Sequence, residues 1–595
     1  RAPSASNPGI SISLNSGGAG TISLNGHSTY GGNGASTFTN IFGGTVTIAD
    51  DSSLGASQVP LIFAGTSSLT AATPFITAST RPITINSGVT ATFNISTPNT
   101  FSGSISMGDA TSSLVKALSG ALTLNGNNSS AGSYTINQGT LILGGVNSYS
   151  GDTTVNGSST LQGGAPNAFS SSSSHTLNTT GSLDLNGLAQ EVGSFASPDS
   201  GTAIHLGAGT LQTGAKNETT EFKGLIDGSG GLTCVGTGAL TLSGTASYTG
   251  STILNSSFTL TGGTANAFAA NSSHILNGTS TLNLNNISQE IGSLASPSSG
   301  STVQLGSGTL QTGSKNVITD FAGQITGTTG GLTTVGSSGI LTLSGVSSYN
   351  GPTNVNENST LRAGSFMAFT SSSSYTLNTT GTLDLNGISQ EVGSFSSPDS
   401  GTTIHLGSGT LQTGAKNETK EFQGLIDGSG GVTCIGTGML TLSGTASYTG
   451  PTILQNSFTL TGGVPNAFAA NSSHILNGTS TLNLNDASQE IGSLASPSSE
   501  STVQLGSGTL QTGSKNVVSD FAGQITGTGG LTCVGSGTLI LSGTSTYNGP
   551  TTISSGTLIV TGSLQSVATV LSGALLKGNG SLQGASILAG GTIQA

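Results

Sequence analysis

The chain has 595 residues, 95 of them Gly and none Trp, with 6% charged residues and a net charge of −12. Ordinary globular domains carry about 25% charged residues, so a surface made of Ser, Thr, Asn and Gln leaves little material for acid–base catalysis. Eleven Lys and Arg are scattered singly, which gives no stripe to neutralise phosphates and no nucleic-acid partner. No run of about 20 apolar residues occurs, so no membrane insertion by this chain is expected.

Read from the N-terminus, residues 1–100 form a less regular opening, with ISLNGHSTYGG at 22–32 as a worn copy of the later repeats. Residues 101–250 bring LTLNGNNSSAG at 122–132, LILGGVNSYSG at 141–151 and LTLSGTASYTG at 240–250. Residues 251–450 repeat the pattern, and residues 451–595 hold the last copy, LILSGTSTYNG at 539–549, and the terminal coils. Tyr149, Tyr248, Tyr349, Tyr448 and Tyr547 are separated by 99, 101, 99 and 99 residues. That regularity fits one continuous repeat architecture better than linked domains. Residues 170–250 are nearly copied at 370–450, and 251–345 resemble 451–543, an ABAB order that linear stacks tolerate because each unit touches only its neighbours.

Within each unit, pieces such as GTLDLNG and GTLQTG alternate apolar and polar residues over about five positions before a glycine turn, the signature of short strands. No 3.6-residue apolar period persists, and Gly is too frequent for helices of normal length. The expectation is all-β, and an open-ended series of strand–turn units predicts a parallel β-helix, a β-solenoid of about 20–25 residues per coil. Leu183 and Leu185 should face inward about Asp184, as should Leu383 and Leu385 about Asp384.

The string FAGQITGTGGLTCVGSGTLILSGTSTYNGPTTISSGTLIVTGSL at 521–564 resembles the passenger-associated transport repeat of bacterial autotransporters. It recurs from Phe222, Phe321 and Phe422, and in a worn form from Phe101. The resemblance implies a right-handed parallel β-helix exported across two membranes to the bacterial cell surface. The translocator strands of that family are missing here, which reads as a processed or truncated passenger or a relative that does without them. The position that is often Lys in the family is Lys116 in the worn copy and Cys234, Thr334, Cys434 and Cys533 elsewhere.

Each candidate site has a plain structural reading beside a functional one. Cys234, Cys434 and Cys533 lie several coils apart, beyond the reach of an internal disulfide. They read as small inward hydrophobes, the alternative being a bridge between neighbouring rods. His27, His175, His205, His274, His405 and His474 lack partners at ligand spacing, so no metal is expected. Asp184, Glu191, Asp199, Glu218, Glu221 and Asp227 recur as Asp384, Glu391, Asp399, Glu418, Glu421 and Asp427. A catalytic pair is normally unique whereas duplication copies everything, so no active site and no enzyme is expected. IDGSGG at 226–231 only faintly approaches a calcium loop. The Asn of LxLNG (Asn25, Asn125, Asn186, Asn386, with Asn285 and Asn485) should occupy left-handed corners. The five repeat tyrosines should cap the hydrophobic stack rather than form an aromatic row for carbohydrate.

The sequence thus predicts an extracellular structural solenoid without catalytic residues, cofactor or metal, self-associating through its ends into a surface fibre. The alternative is a monomeric adhesin for a host receptor or glycan.

Overall fold

The computed structural model describes residues 10–12, 20–26, 38–71, 73–74 and 80–594. The described residues are all-β, their parallel strands stacked as coils of a β-solenoid, as the alternation predicts. The only helical turn among the described residues is the 3-10 segment Asp51–Leu54. Two compact units divide the chain, one of residues 1–292 with 300–302 and the other of 293–299 with 303–595.

In the first unit, Ala121–Leu124, Thr140–Leu143, Thr160–Gly163, Ser182–Asp184, Ala203–His205 and Leu225–Asp227 pair in parallel along one ladder. Leu122 faces Leu141, Leu141 faces Leu161, Leu161 faces Leu183, Leu183 faces Ile204 and Ile204 faces Ile226. One coil therefore takes about 19 to 22 residues, and like stacks on like. All six side chains are buried, because alternate residues of a strand point to one face and in-register pairing keeps that face inward coil after coil. Leu183 and Leu185 lie inside with Asp184 at the surface. A second ladder runs through Gln190–Glu191, Leu211–Thr213, Leu232–Cys234, Thr252–Leu254 and Ser273–Leu276.

The second unit repeats the design. Ile318–Phe321, Ile340–Leu343, Thr360–Ala363, Thr382–Asp384, Thr403–His405 and Leu425–Asp427 form one ladder. Gln390–Glu391, Leu411–Thr413, Val432–Cys434, Thr452–Leu454 and Ser473–Leu476 form another. Near the C-terminus the eight-residue strand Ser563–Val570 runs alongside both Thr544–Ser545 and Thr551–Ile553 and carries Ser581–Ile587 on its other edge.

The corners divide the Asn expectation. Asn186, Asn285, Asn386 and Asn485 have φ of 56°, 55°, 52° and 52°. The residue after each (Gly187, Asn286, Gly387, Asp486) is also left-handed. Each pair is the centre of a tight turn, closed by bonds such as Leu188 N–H to Leu185 O and Ile388 N–H to Leu385 O. Asn125 is different: its N–H stays in the ladder with Phe101 O at 2.8 Å, no left-handed φ is found there or at Asn25, and its amide reaches Ser102 Oγ. The sequence reading also passed over a second left-handed set, Asn217, Asn316, Asn417 and Asn516, with φ of 56° to 58°.

Candidate functional site

The five repeat tyrosines are buried, which rules out an exposed aromatic row and leaves them inside the stack. Each phenol meets the Thr four residues on: 2.9 Å for Tyr149–Thr153, 2.6 Å for Tyr248–Thr252, and 2.7 Å for Tyr349–Thr353 and Tyr448–Thr452. Tyr547 meets Thr551 likewise. Each Thr hydroxyl is bonded in turn to a Ser of the next coil (Ser173, Ser272, Ser373, Ser472 and Ser566). A buried hydroxyl is expensive unless bonded, and this Tyr–Thr–Ser relay satisfies three at once in every repeat. Burial pushes the Tyr149 and Tyr349 phenols up to about 12.

Cys234, Cys434 and Cys533 are free and buried, which excludes the inter-rod bridge and leaves the inward-hydrophobe reading. Burial raises all three thiols, Cys434 and Cys533 to about 12. Thr334 fills the equivalent place and bonds Ser359 Oγ at 2.9 Å. Lys116 is fully buried, its ammonium donating to the carbonyls of Ala117, Leu118 and Gln138 at 2.6–3.1 Å, while burial lowers its pKa to about 8.

The histidines divide into two classes, and His27 lies outside the described residues. His205 and His405 sit at the surface with Nδ1 3.0 Å and 2.7 Å from Asp227 and Asp427 one coil on. His175, His274 and His474 are buried, with Nδ1 3.2–3.3 Å from the carbonyl oxygens of Ser173, Ser272 and Ser472. Their Nε2 atoms have no partner. Burial lowers each to about 4, only partly offset by the backbone bond, so these rings are neutral core residues. Among the described residues no three His, Cys, Asp or Glu side chains gather as metal ligands would.

Most of the duplicated carboxylates are tied to a neighbouring rung, several of them by the same bond in both copies. Asp199 and Asp399 accept from the N–H of Thr179 and Thr379 at 2.6 Å. Glu221 and Glu421 accept from Ser243 and Ser443 at 2.6 Å. Asp184 takes Gln162 at 2.7 Å where Asp384 takes Arg362 at 2.8 Å. Glu218 accepts from Ser174 and Ser194 and lies 3.1 Å from Lys216. Partial burial pushes the Glu218 carboxyl up, but the hydroxyls and the ammonium outweigh it and hold it below the usual range. Glu418 does the same with Ser374, Ser394 and Lys420.

Two features escaped the sequence reading. Buried Arg81 pairs with Asp51 at 3.0 Å and donates to the carbonyls of Leu54, Gly55 and Val59, pinning the 3-10 insertion. A buried Gln in each repeat clamps the loop one coil back. Gln190 bonds Ala165 O and the N–H groups of Ala168 and Phe169. Gln289, Gln390 and Gln489 make equivalent bonds. The alternation in QEV and QEI, which turns Gln to the inward side, is the signal that could have found it.

Those clamped loops read GAPNAF, GTANAF and GVPNAF at 164–169, 263–268 and 463–468, but GSFMAF at 364–369. There Phe366 and Met367 are 71% and 67% exposed. They line a cleft of about 540 Å³ together with Ser389, Glu391, Thr410 and Gln412.

A stack of parallel coils whose ionisable groups are copied as structural rungs defines a repeat solenoid. Comparison with known proteins gives its kind. The family model Passenger-associated-transport-repeat matches residues 114–143, 138–157, 232–264, 332–357, 433–457 and 526–560. The Adhesin BmaC autotransporter of Brucella suis biovar 1 (strain 1330) is 30% identical over 351 residues, which is 58% of this chain. The chain spans about a tenth of that relative's length, 10% being aligned. This chain thus carries passenger-associated transport repeats and is similar, over 58% of its length, to an autotransporter adhesin.

Proposed function

We propose that this chain is a non-catalytic structural element of the bacterial cell surface, whose coils serve as a scaffold and self-associate into a fibre or appendage. One observation carries the structural reading. Asp199, Glu218 and Glu221 are bonded to other coils, and Asp399, Glu418 and Glu421 repeat those bonds, as expected of rungs and not of a unique acid–base pair. Self-association is supported by the strand Ser581–Ile587, which pairs on one side with Ser563–Val570. Leu582 and Ile587 on it are 38% and 51% exposed. An edge of that kind accepts a further strand by backbone pairing, whether from a second copy or from a further coil of the same protein.

Sedimentation velocity and negative-stain imaging over a concentration series test the reading. Assemblies that lengthen with concentration, and shorten when Gly584 is replaced by Pro, are expected. Single particles of one size at every concentration would defeat it.

A further inference from the structure

We propose that the cleft beside Phe366 and Met367 is a docking site for a partner protein segment that presents an apolar side chain next to a basic one. A repeat protein supplies its own internal controls. Four loops share one backbone course, each held by the buried Gln of the following coil, and Gln390 fixes this one through Ser365 O at 2.7 Å and Phe369 N at 3.1 Å. In three of them the left-handed position is Asn (Asn167, Asn266 and Asn466, φ 52° to 56°), a residue that tolerates it. In the fourth it is Met367 at φ 62°, a side chain with no local hydrogen bond to compensate for the conformation.

The same pair is among the most exposed large apolar side chains of the described residues, with Val346 beside it at 45%. Phe366 stands where the other copies have Pro166, Ala265 and Pro465. This one loop thus accepts both a strained conformation and exposed apolar surface, and the Gln390 clamp holds the pair in place before anything binds. Exposed aromatic and Met side chains on a preorganised turn are the composition of binding anchors.

The rest of the cleft selects the occupant. Glu391 and Gln412 are register partners on adjacent strands, as are their counterparts Glu191 and Gln212, so the polar floor is ordinary and the apolar wall is what distinguishes this copy. Glu391 is the sole ionised side chain lining the cleft, on a chain of net charge −12. That combination draws a basic group to the cleft. A Met–Phe wall offers no directional bond to a sugar's hydroxyls, whereas it covers a Leu or Phe side chain well. Thr410 and Gln412 can bond the peptide backbone laid along the floor.

The test uses the whole chain and labelled decapeptides in fluorescence polarisation: Lys/Arg with Leu/Phe, Asp/Glu with Leu/Phe, and Lys/Ser without apolar residues. The basic–apolar set should bind alone, weaken with salt, and weaken in Glu391→Gln. In the double variant Phe366→Ala with Met367→Asn it should lose about 30-fold or more, the loss of a binding hot spot. That variant restores the residues that the 263–268 loop already carries, so its thermal midpoint should equal or exceed that of the parent. No binding by any peptide, equal binding to parent and double variant, or preference for the acidic set would overturn the proposal. So would a glycan-array signal or a concentration-dependent dimer that the double variant alone abolishes, since either assigns the cleft to another occupant.

Discussion

Acid should loosen this solenoid through three histidines, and the size of the effect follows from their surroundings. His175, His274 and His474 are held near 4, against an ordinary value of 6.5, by burial. Their Nε2 atoms have no acceptor to share a proton with. Between those two values the unfolded chain binds protons that the folded chain refuses, so stability is full above about pH 6.5 and falls as the pH drops towards 4. At about pH 5 the linkage gives a loss of about 2 kcal/mol per ring, or about 6 kcal/mol if the three sites, separated by several coils, add independently. The third repeat supplies the control. Tyr375 replaces His there, stacks on Phe369 at 5.7 Å as His175 does on Phe169 at 6.0 Å, and accepts from Thr370 N at 3.0 Å. Guanidinium unfolding followed by circular dichroism at about pH 7.5 and about pH 5 should show the full loss in the parent. Most of it should be absent from the triple variant His175→Tyr, His274→Tyr, His474→Tyr. Equal losses in the two proteins would mean that the buried rings are not the source of the acid sensitivity.

Three further outcomes are expected. The thiols of Cys234, Cys434 and Cys533 should be unreactive towards a thiol-specific chromogenic disulfide in the native chain, and all three should react once it is unfolded in guanidinium. Tyr448→Phe removes one arm of the relay but leaves Thr452 bonded to Ser472, so chemical denaturation should give a loss of about 1 kcal/mol. Arg81→Ala leaves the Asp51 carboxylate and several carbonyls without their donor. It should cost about 3–5 kcal/mol locally, read as raised hydrogen exchange and proteolysis across residues 51–60.

The fold was legible because its two determinants are local. Alternation places Leu122, Leu141, Leu161 and Leu183 inward, and in-register copying stacks them. The polar interior was less legible because inward positions are set by alternation whatever residue occupies them: Tyr149 read as a cap of the stack, and the letters gave no sign of the Gln190 clamp, whose partners at 165–169 lie one coil back. The Asn corners failed at Asn125 for a related reason. The letters LNG match those at 185–187, but the residue stays in the ladder with Phe101 because the chain does not turn back there. The cleft at 366–412 left a trace in the letters, SFM in place of PN or AN, but its meaning depends on the left-handed backbone at Met367, which no local pattern announces.

The Gln clamps make neighbouring coils depend on one another. Gln190 fastens the loop at 165–169, and Gln390 the loop at 365–369, so each turn is latched by residues that come about 21 to 25 positions later. A turn deprived of its successor loses these bonds, so removing one coil loosens the loop of the coil before it. The order of each of these loops thus depends on the coil that follows it in the chain.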